Sequence, residues 1–218
     1  MLSDIQRAVL ESVTLSTRDS DFALAGGGAL IVHGLVSRST RDLDFFTTRV
    51  SEIREFVPRV ETRLRELGFH VRPIQNSERF VRIEVSRSDQ VIEVDFGVDA
   101  RLFPGTHEAG SPILATKELA VDKVLAIFGR AEARDFEDLA ALTRYSSLEE
   151  LFALAAKKDT GFRVEVFAQM SKRINSLEGD EFSSTGSDLD ALREEVENWQ
   201  RIAQSYGQSR EPDVGLER

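Results

Sequence analysis

One stretch, Gly26-Gly27-Gly28 through Phe46, reading GGGALIVHGLVSRSTRDLDFF, restricts the fold more than any other in the chain. Apolar Phe22-Ala23-Leu24-Ala25 precedes three glycines. A helix-like segment over residues 29–35 follows, and then two carboxylates, Asp42 and Asp44, stand one residue apart in an apolar run. Side chains alternate between faces in an extended segment, so Asp42 and Asp44 point one way and Leu43 and Phe45 the other. Two like charges at that spacing repel unless a cation sits between them. Paired hard oxygens suit Mg²⁺, which takes its remaining ligands from water and substrate phosphates. Glycines allow a tight turn and close backbone approach, and a helix beginning at Ala29 would offer free N–H groups to an anion. Gly26, Gly27 and Gly28 are therefore the candidate phosphate cradle, and Asp42 and Asp44 the candidate metal ligands. Each half alone reads equally well as a structural turn or a solvated strand end; their spacing in one short unit argues for a joint site.

The pattern around this stretch is mixed. Residues 3–15 carry Ile5, Val9 and Val13 at helical period behind a Ser3 cap. Residues 22–25 and 43–47 read as strands, and Ser51 is the expected cap of a helix to Leu67 that Gly68 stops. Residues 69–72, 80–85 and 91–96 read as further strands, the last two joined by a turn over residues 86–90. In the last strand Glu93 and Asp95 share a face, so a third carboxylate can stand beside the D-x-D pair. Pro104, Gly105, Gly110 and Pro112 mark residues 101–112 as a loop and hinge. Beyond it, residues 116–128, 133–145, 148–156, 164–174 and 188–206 all have helical period. The expected organisation is a domain of mixed sheet and helices over 1–110, a helical bundle over 111–206, and a disordered tail over 207–218, in the α+β class.

Within the helical half, Lys123, following the hinge, is a candidate to neutralise a triphosphate, and Lys117 is its rival. Asp135 and Asp138 stand one helical turn apart and share a face. A surface ion pair of Arg134 with Asp138 is the plain alternative.

Composition narrows the partners. The net charge is −10, but residues 1–110 hold 14 basic and 17 acidic side chains while 178–218 hold 4 and 11, so the acidity belongs mainly to the end of the chain. All basic residues before Lys117 are arginine, a side chain that grips phosphate with a planar fork, although coding bias explains such a preference equally well. There is no cysteine, which excludes disulfides, thiolate metal sites and a cysteine nucleophile. No apolar run is long enough to span a bilayer and the first residues lack a signal-peptide pattern, so a cytoplasmic, non-membrane protein is expected.

The glycine motif G-G-x-A followed by Arg38-Ser39-Thr40-Arg41-Asp42-Leu43-Asp44-Phe45 resembles the nucleotidyltransferases of the polymerase-beta type, and most of all their AbiEii branch, which includes the MenT toxins. The helical element of that branch, K-x-x-A through R-x-x-x-R-D-x-x-D-L, is matched by Lys123, Ala126, Arg130, Arg134, Asp135, Asp138 and Leu139. The resemblance covers residues 22–46 and 116–142. It implies a polymerase-beta-like mixed sheet and Mg²⁺-dependent transfer from an NTP with release of pyrophosphate. Asp42, Asp44, Lys123 and Asp138 would be catalytic, and Asp95, with Glu93 in reserve, the third metal carboxylate. Arg38, Thr40, Arg41 and Lys117 would help to bind nucleotide or phosphate. It further implies a toxin that extends tRNA 3′ ends, restrained by an antitoxin, with Thr40 at the position where some relatives are phosphorylated. A small-molecule nucleotidyltransferase acting on a cationic acceptor and a catalytically silent binding module are the alternatives.

Overall fold

The computed structural model describes residues 1–108, 110–183 and 186–209, with Ser187 described by its backbone. The chain divides into two units, Met1–Leu119 and Ala120–Arg218.

In the first unit, helix α1 (Asp4–Ser16) starts where the sequence places it. Ser3 accepts from the Gln6 backbone, and the Ser3 N–H donates to Gln6 Oε1 at 2.8 Å, a reciprocal cap. Strand β1 (Ala23–Ala25) leads directly into α2 (Gly26–Val32). The helix therefore begins at the first glycine, three residues earlier than its apolar pattern suggests, because Gly26 takes a φ of +56° that a residue with a side chain adopts only under strain. Strand β2 (Asp42–Thr47) alternates half-buried and buried positions, with Leu43, Phe45 and Thr47 inward.

Helix α3 (Val50–Glu66) starts without the expected serine cap. Thr47 Oγ1 instead accepts from the Arg49 N–H and donates to buried Glu52 at 2.5 Å, tying the helix start to the end of β2. Gly68, at φ +80°, ends the helix region. Strands β3 (His70–Asn76), β4 (Phe80–Arg87) and β5 (Gln90–Val98) follow as antiparallel neighbours.

The segment expected as a hinge loop holds two short strands, β6 (Thr106–Glu108) and β7 (Ser111–Ile113). Their proline and glycines obscured them, since a three-residue strand shows no period. The seven strands form one mixed sheet in the order β3-β4-β5-β2-β1-β7-β6, with β2–β5 and β1–β7 parallel. Helix α3 contacts β2 through β5, and α1 contacts α3, β5 and β7. The inward residues of the strands, including Leu43, Ile83, Val85, Val94 and Phe96, are almost fully buried. Phe96 stacks on Phe45 at 5.7 Å and meets Phe22 edge-on at 5.9 Å. The acids Asp42, Asp44, Glu93 and Asp95 thus fall on the opposite, polar face by strand alternation alone.

Helix α4 (Thr116–Gly129) runs across the division of the chain into units. The second unit adds α5 (Ala133–Leu142), α6 (Leu148–Lys158), α7 (Val164–Ser171), a 3₁₀ continuation (Lys172–Ser176) and α8 (Ser187–Gln208). Phe152 is its aromatic centre, packed against Phe162, Phe167 and Tyr206. Helix α8 extends through Gly207 and Gln208, where the tail was expected to start; the rest of that tail lies outside the described residues. No described helix is long and apolar enough to cross a membrane.

Candidate active site

Strand β2 presents Asp42 and Asp44 half-buried on the polar face, and pairing sets their surroundings. Ala25 is the partner of Asp44 across β1–β2, so the glycine turn that follows Ala25 arrives beside the Asp44 carboxylate. A Cβ built on Gly26 would lie 2.0 Å from Asp44 Oδ2, and one on Gly27 would lie 2.9 Å from an Arg38 guanidinium nitrogen and 3.2 Å from Thr40 Oγ1. At Gly26, where φ is +56°, only glycine permits this packing of turn against carboxylate, while at Gly27 a side chain would press on the Arg38 guanidinium and the Thr40 hydroxyl. Gly28 instead packs on Leu24 and Leu43, in the apolar layer.

Thr40 Oγ1 donates to Asp42 Oδ1 at 2.8 Å, which orients that carboxylate. The loop carrying Thr40 is held in turn by Gln6, whose Nε2 donates to the Thr40 carbonyl at 2.8 Å. Gln6 was missed by sequence reasoning; its signal was a polar side chain next to Ile5 on the inward stripe of α1, where it is 4% exposed. Arg38 donates to the Ser39 carbonyl at 3.0 Å, and Arg41 is exposed. Lys117 places its ammonium over the Phe103 ring at 5.6 Å.

Asp95 is the register partner of Asp44 on β5, and Arg82 is the partner of Asp95 on β4. The three side chains therefore form a row across three strands. Arg82 donates to both Asp95 oxygens, Nε to Oδ1 at 2.7 Å and a terminal nitrogen to Oδ2 at 2.6 Å, and its other terminal nitrogen stands 3.6 Å from Glu93. The hydrogen bonds to Asp95 raise the Arg82 pKa above its ordinary value, with smaller contributions from the charges of Asp95, Glu93 and Asp44. Among the described residues no three acidic or histidine side chains stand so as to hold a metal ion together. Of the three carboxylates expected from the sequence to hold a metal, Asp95 has both oxygens facing the Arg82 guanidinium. The remaining pair, Asp42 and Asp44, has the donor chemistry that Mg²⁺ takes from proteins, one or two carboxylates with the rest supplied by water and phosphate.

In the second unit, Lys123 and Asp138 belong to a buried ion network. The Lys123 side chain is 8% exposed, and its ammonium stands 2.8 Å from Asp138 Oδ2 and 3.2 Å from Asp135 Oδ1. Arg130 donates to both oxygens of Asp135 at 2.9 and 3.0 Å, and the Glu132 N–H donates to Oδ2 at 3.3 Å. Burial pushes the Asp135 pKa up, but the Arg130 hydrogen bonds and the Lys123 charge outweigh it and hold the carboxyl below its ordinary range. Asp138 is fully buried, unlike a member of a solvated surface pair, and Arg134 donates to Glu132 at 3.0 Å. The Asp138 carboxylate thereby holds the Lys123 ammonium from one side and Asp135 from the other.

A polar sheet face bearing D-x-D behind a glycine turn defines the class, a nucleotidyltransferase fold, and the comparisons agree. JHP933 from Helicobacter pylori is similar over 96% of this chain and 94% of its own, at 18% identity and a TM-score of 0.57. A second H. pylori structure, described as a candidate nucleotidyltransferase, matches over 95% and 97% at 17% identity and TM-score 0.59. The antibiotic-resistance factor ANT(2'')-Ia matches over 70% and 90% at 16% identity and TM-score 0.51. No curated protein matches the sequence significantly. The sequence profile described as "Nucleotidyl transferase AbiEii toxin, Type IV TA system" matches residues 8–216, and the chain belongs to that family. It is a nucleotidyltransferase.

Proposed function

We propose that the protein is the toxin of a toxin–antitoxin pair and transfers a nucleotide from a Mg²⁺-bound NTP to an RNA acceptor, the tRNA 3′ end in the first place. The observation that carries this reading is the local set on β2: Asp44 against Gly26, Asp42 oriented by Thr40, and the Arg38 guanidinium at Gly27. Asp42 and Asp44 would hold Mg²⁺, which when bound withdraws charge from the triphosphate and favours attack at its α-phosphorus. Gly26 and Gly27 let the Asp44 carboxylate and the Arg38 guanidinium come up against the backbone, and Arg38 and Arg41 supply fork-shaped donors to phosphate. The acceptor hydroxyl, losing its proton to water, forms the new P–O bond as the bond to the β-phosphate breaks, with pyrophosphate leaving. The family motif gives Lys123 a catalytic part, with Asp138 and Asp135 fixing its ammonium.

Thr40 ties regulation to the same residues. A phosphate on its hydroxyl, which lies 2.8 Å from Asp42 Oδ1, would set negative charge against a metal-binding carboxylate and block the site. Intact-mass measurement after co-expression with the neighbouring antitoxin gene should reveal the added phosphate; an unmodified mass removes this part of the reading.

The deciding experiment incubates the purified protein with Mg²⁺, total tRNA and each radiolabelled NTP in turn, alongside Asp42→Ala. Label on tRNA with the intact protein alone supports the RNA-directed reading and names the nucleotide. Absence of label with every NTP favours a small cationic acceptor, for which the net charge of −10 and the fold shared with an antibiotic-resistance factor speak.

A further inference from the structure

Arg82 does nothing in the reaction as described so far, yet it stands in the row that contains Asp44. Residues paired across neighbouring strands project from the same face, so Arg82, Asp95 and Asp44 stand side by side, one strand spacing of about 4.8 Å apart at each step. The Asp95 side chain is 8% exposed and that of Arg82 is 37% exposed, so the carboxylate lies beneath and the guanidinium above it keeps an open side. A guanidinium carries five N–H donors; two are spent on Asp95, and the nitrogen nearest Glu93 is beyond hydrogen-bond distance at 3.6 Å. A third free carboxylate here would repel a triphosphate arriving at the D-x-D pair. With Arg82 on it, Asp95 adds no net charge to the face, and a cation is displayed where an anion would otherwise stand.

We propose that Arg82 is a triphosphate-binding residue and that Asp95 is the residue positioning it, not a third metal ligand. This rests on the nucleotidyl-transfer reading of the site and deepens it. Metal binding then depends on Asp42 and Asp44 alone, while anion binding depends on the Arg82–Asp95 pair. The two functions of the polar face are separable by mutation.

Two titrations of the full-length protein test the separation. One follows Mn²⁺ binding without nucleotide by electron paramagnetic resonance. The other follows binding of fluorescent non-hydrolysable analogues of the four NTPs in Mg²⁺. Arg82→Gln and Asp95→Asn should each weaken the best analogue about tenfold, the scale of one charge-assisted hydrogen-bonded contact, with Arg82→Lys recovering part of it. Mn²⁺ affinity in Asp95→Asn should stay within about twofold of the intact protein, whereas Asp44→Asn should lose it. Circular dichroism confirms that each variant is folded, and Arg82→Lys keeps the charge on Asp95 should Arg82→Gln unfold. The proposal is overturned by Mn²⁺ loss in Asp95→Asn comparable to that in Asp44→Asn, which makes Asp95 a ligand, or by unchanged analogue binding in Arg82→Gln. If the intact protein binds no analogue, the nucleotidyl-transfer reading falls and the proposal with it. If it binds and Asp44→Asn does not, a normal Arg82→Gln sinks the proposal alone.

Discussion

The two units each contain an aspartate held by an arginine fork, and the pairs are built for different ends. Asp95 on β5 takes two hydrogen bonds from Arg82, reached across a strand register, and the other charges acting on that arginine, Glu93 and Asp44, are acids. Asp135 in α5 takes two from Arg130, a third from Lys123 and a fourth from the Glu132 N–H, and it is fully buried. An acid enclosed by several donors on local helical elements stabilises its surroundings, because removing it takes a partner from the buried Lys123 ammonium as well as from Arg130. An acid with one cation on the polar face of a sheet can hold that cation ready for something else. The same side-chain geometry serves as a fastening in one unit and as a mount in the other.

Substitutions can break this contrast, beginning with the largest expected effect. Asp44→Asn should reduce transfer by about a thousandfold or more, as loss of a metal-binding carboxylate does, with the melting temperature unchanged; a large fall in stability would make Asp44 a fastening as well. Asp135→Ala should cost about 3–5 kcal/mol of stability, measured by urea unfolding, because Lys123 and Arg130 lose their shared partner. The same acid carries a pH signature. Its pKa is lowered in the folded state, so its stabilisation is complete above the ordinary aspartate pKa of about 3.9 and is lost as pH falls toward the depressed value. Asp135→Asn should flatten the acid limb of the stability profile, and an unchanged limb would assign acid sensitivity elsewhere.

Gly26→Ala tests the mount. The φ of +56° predicts a loss of about 1–2 kcal/mol, and the added methyl meets Asp44 Oδ2, so Mn²⁺ affinity should fall together with stability. Retained metal affinity would mean that Asp44 can move aside without consequence. At the small end, Glu84→Gln removes the partner of Arg72, an exposed cross-strand fork one row away on the same sheet, and should leave both melting temperature and activity unaltered. A measurable drop would show that fork geometry matters here even in full solvent.

The elements of this fold were mostly legible in the sequence, because long amphipathic helices and alternating strands announce their period. The cap at Ser3, the stop at Gly68 and the D-x-D alternation on β2 all followed from local rules. The misses have physical reasons. β6 and β7 are too short to show a period, and α2 begins on a glycine whose permissive backbone hides a helix start. Arg82 was hidden by the turn between β4 and β5. Reading residues 86–90 as that turn leaves the register open, whereas the observed closing pair Arg87–Gln90, with Ser88 at φ +57°, sets Arg82 opposite Asp95. Lys123 and Asp138 could be singled out from a motif, but their burial against each other depends on the packing of α4 and α5, which no spacing records.

The short strand β7 has a consequence for how the protein is made. It lies parallel beside β1, with Leu24 opposite Ile113, so β1 lacks one of its two neighbours until residue 113 of 218 has been synthesised. A parallel partner that far along the chain is a late, non-local contact, and until it forms the backbone of β1 is an open edge able to pair with another chain. Emergence of Ser111–Ile113 from the ribosome therefore marks the first moment at which the strand feeding the glycine turn is enclosed on both sides. Nascent chains halted before that point would carry the D-x-D strand in a sheet prone to aggregate.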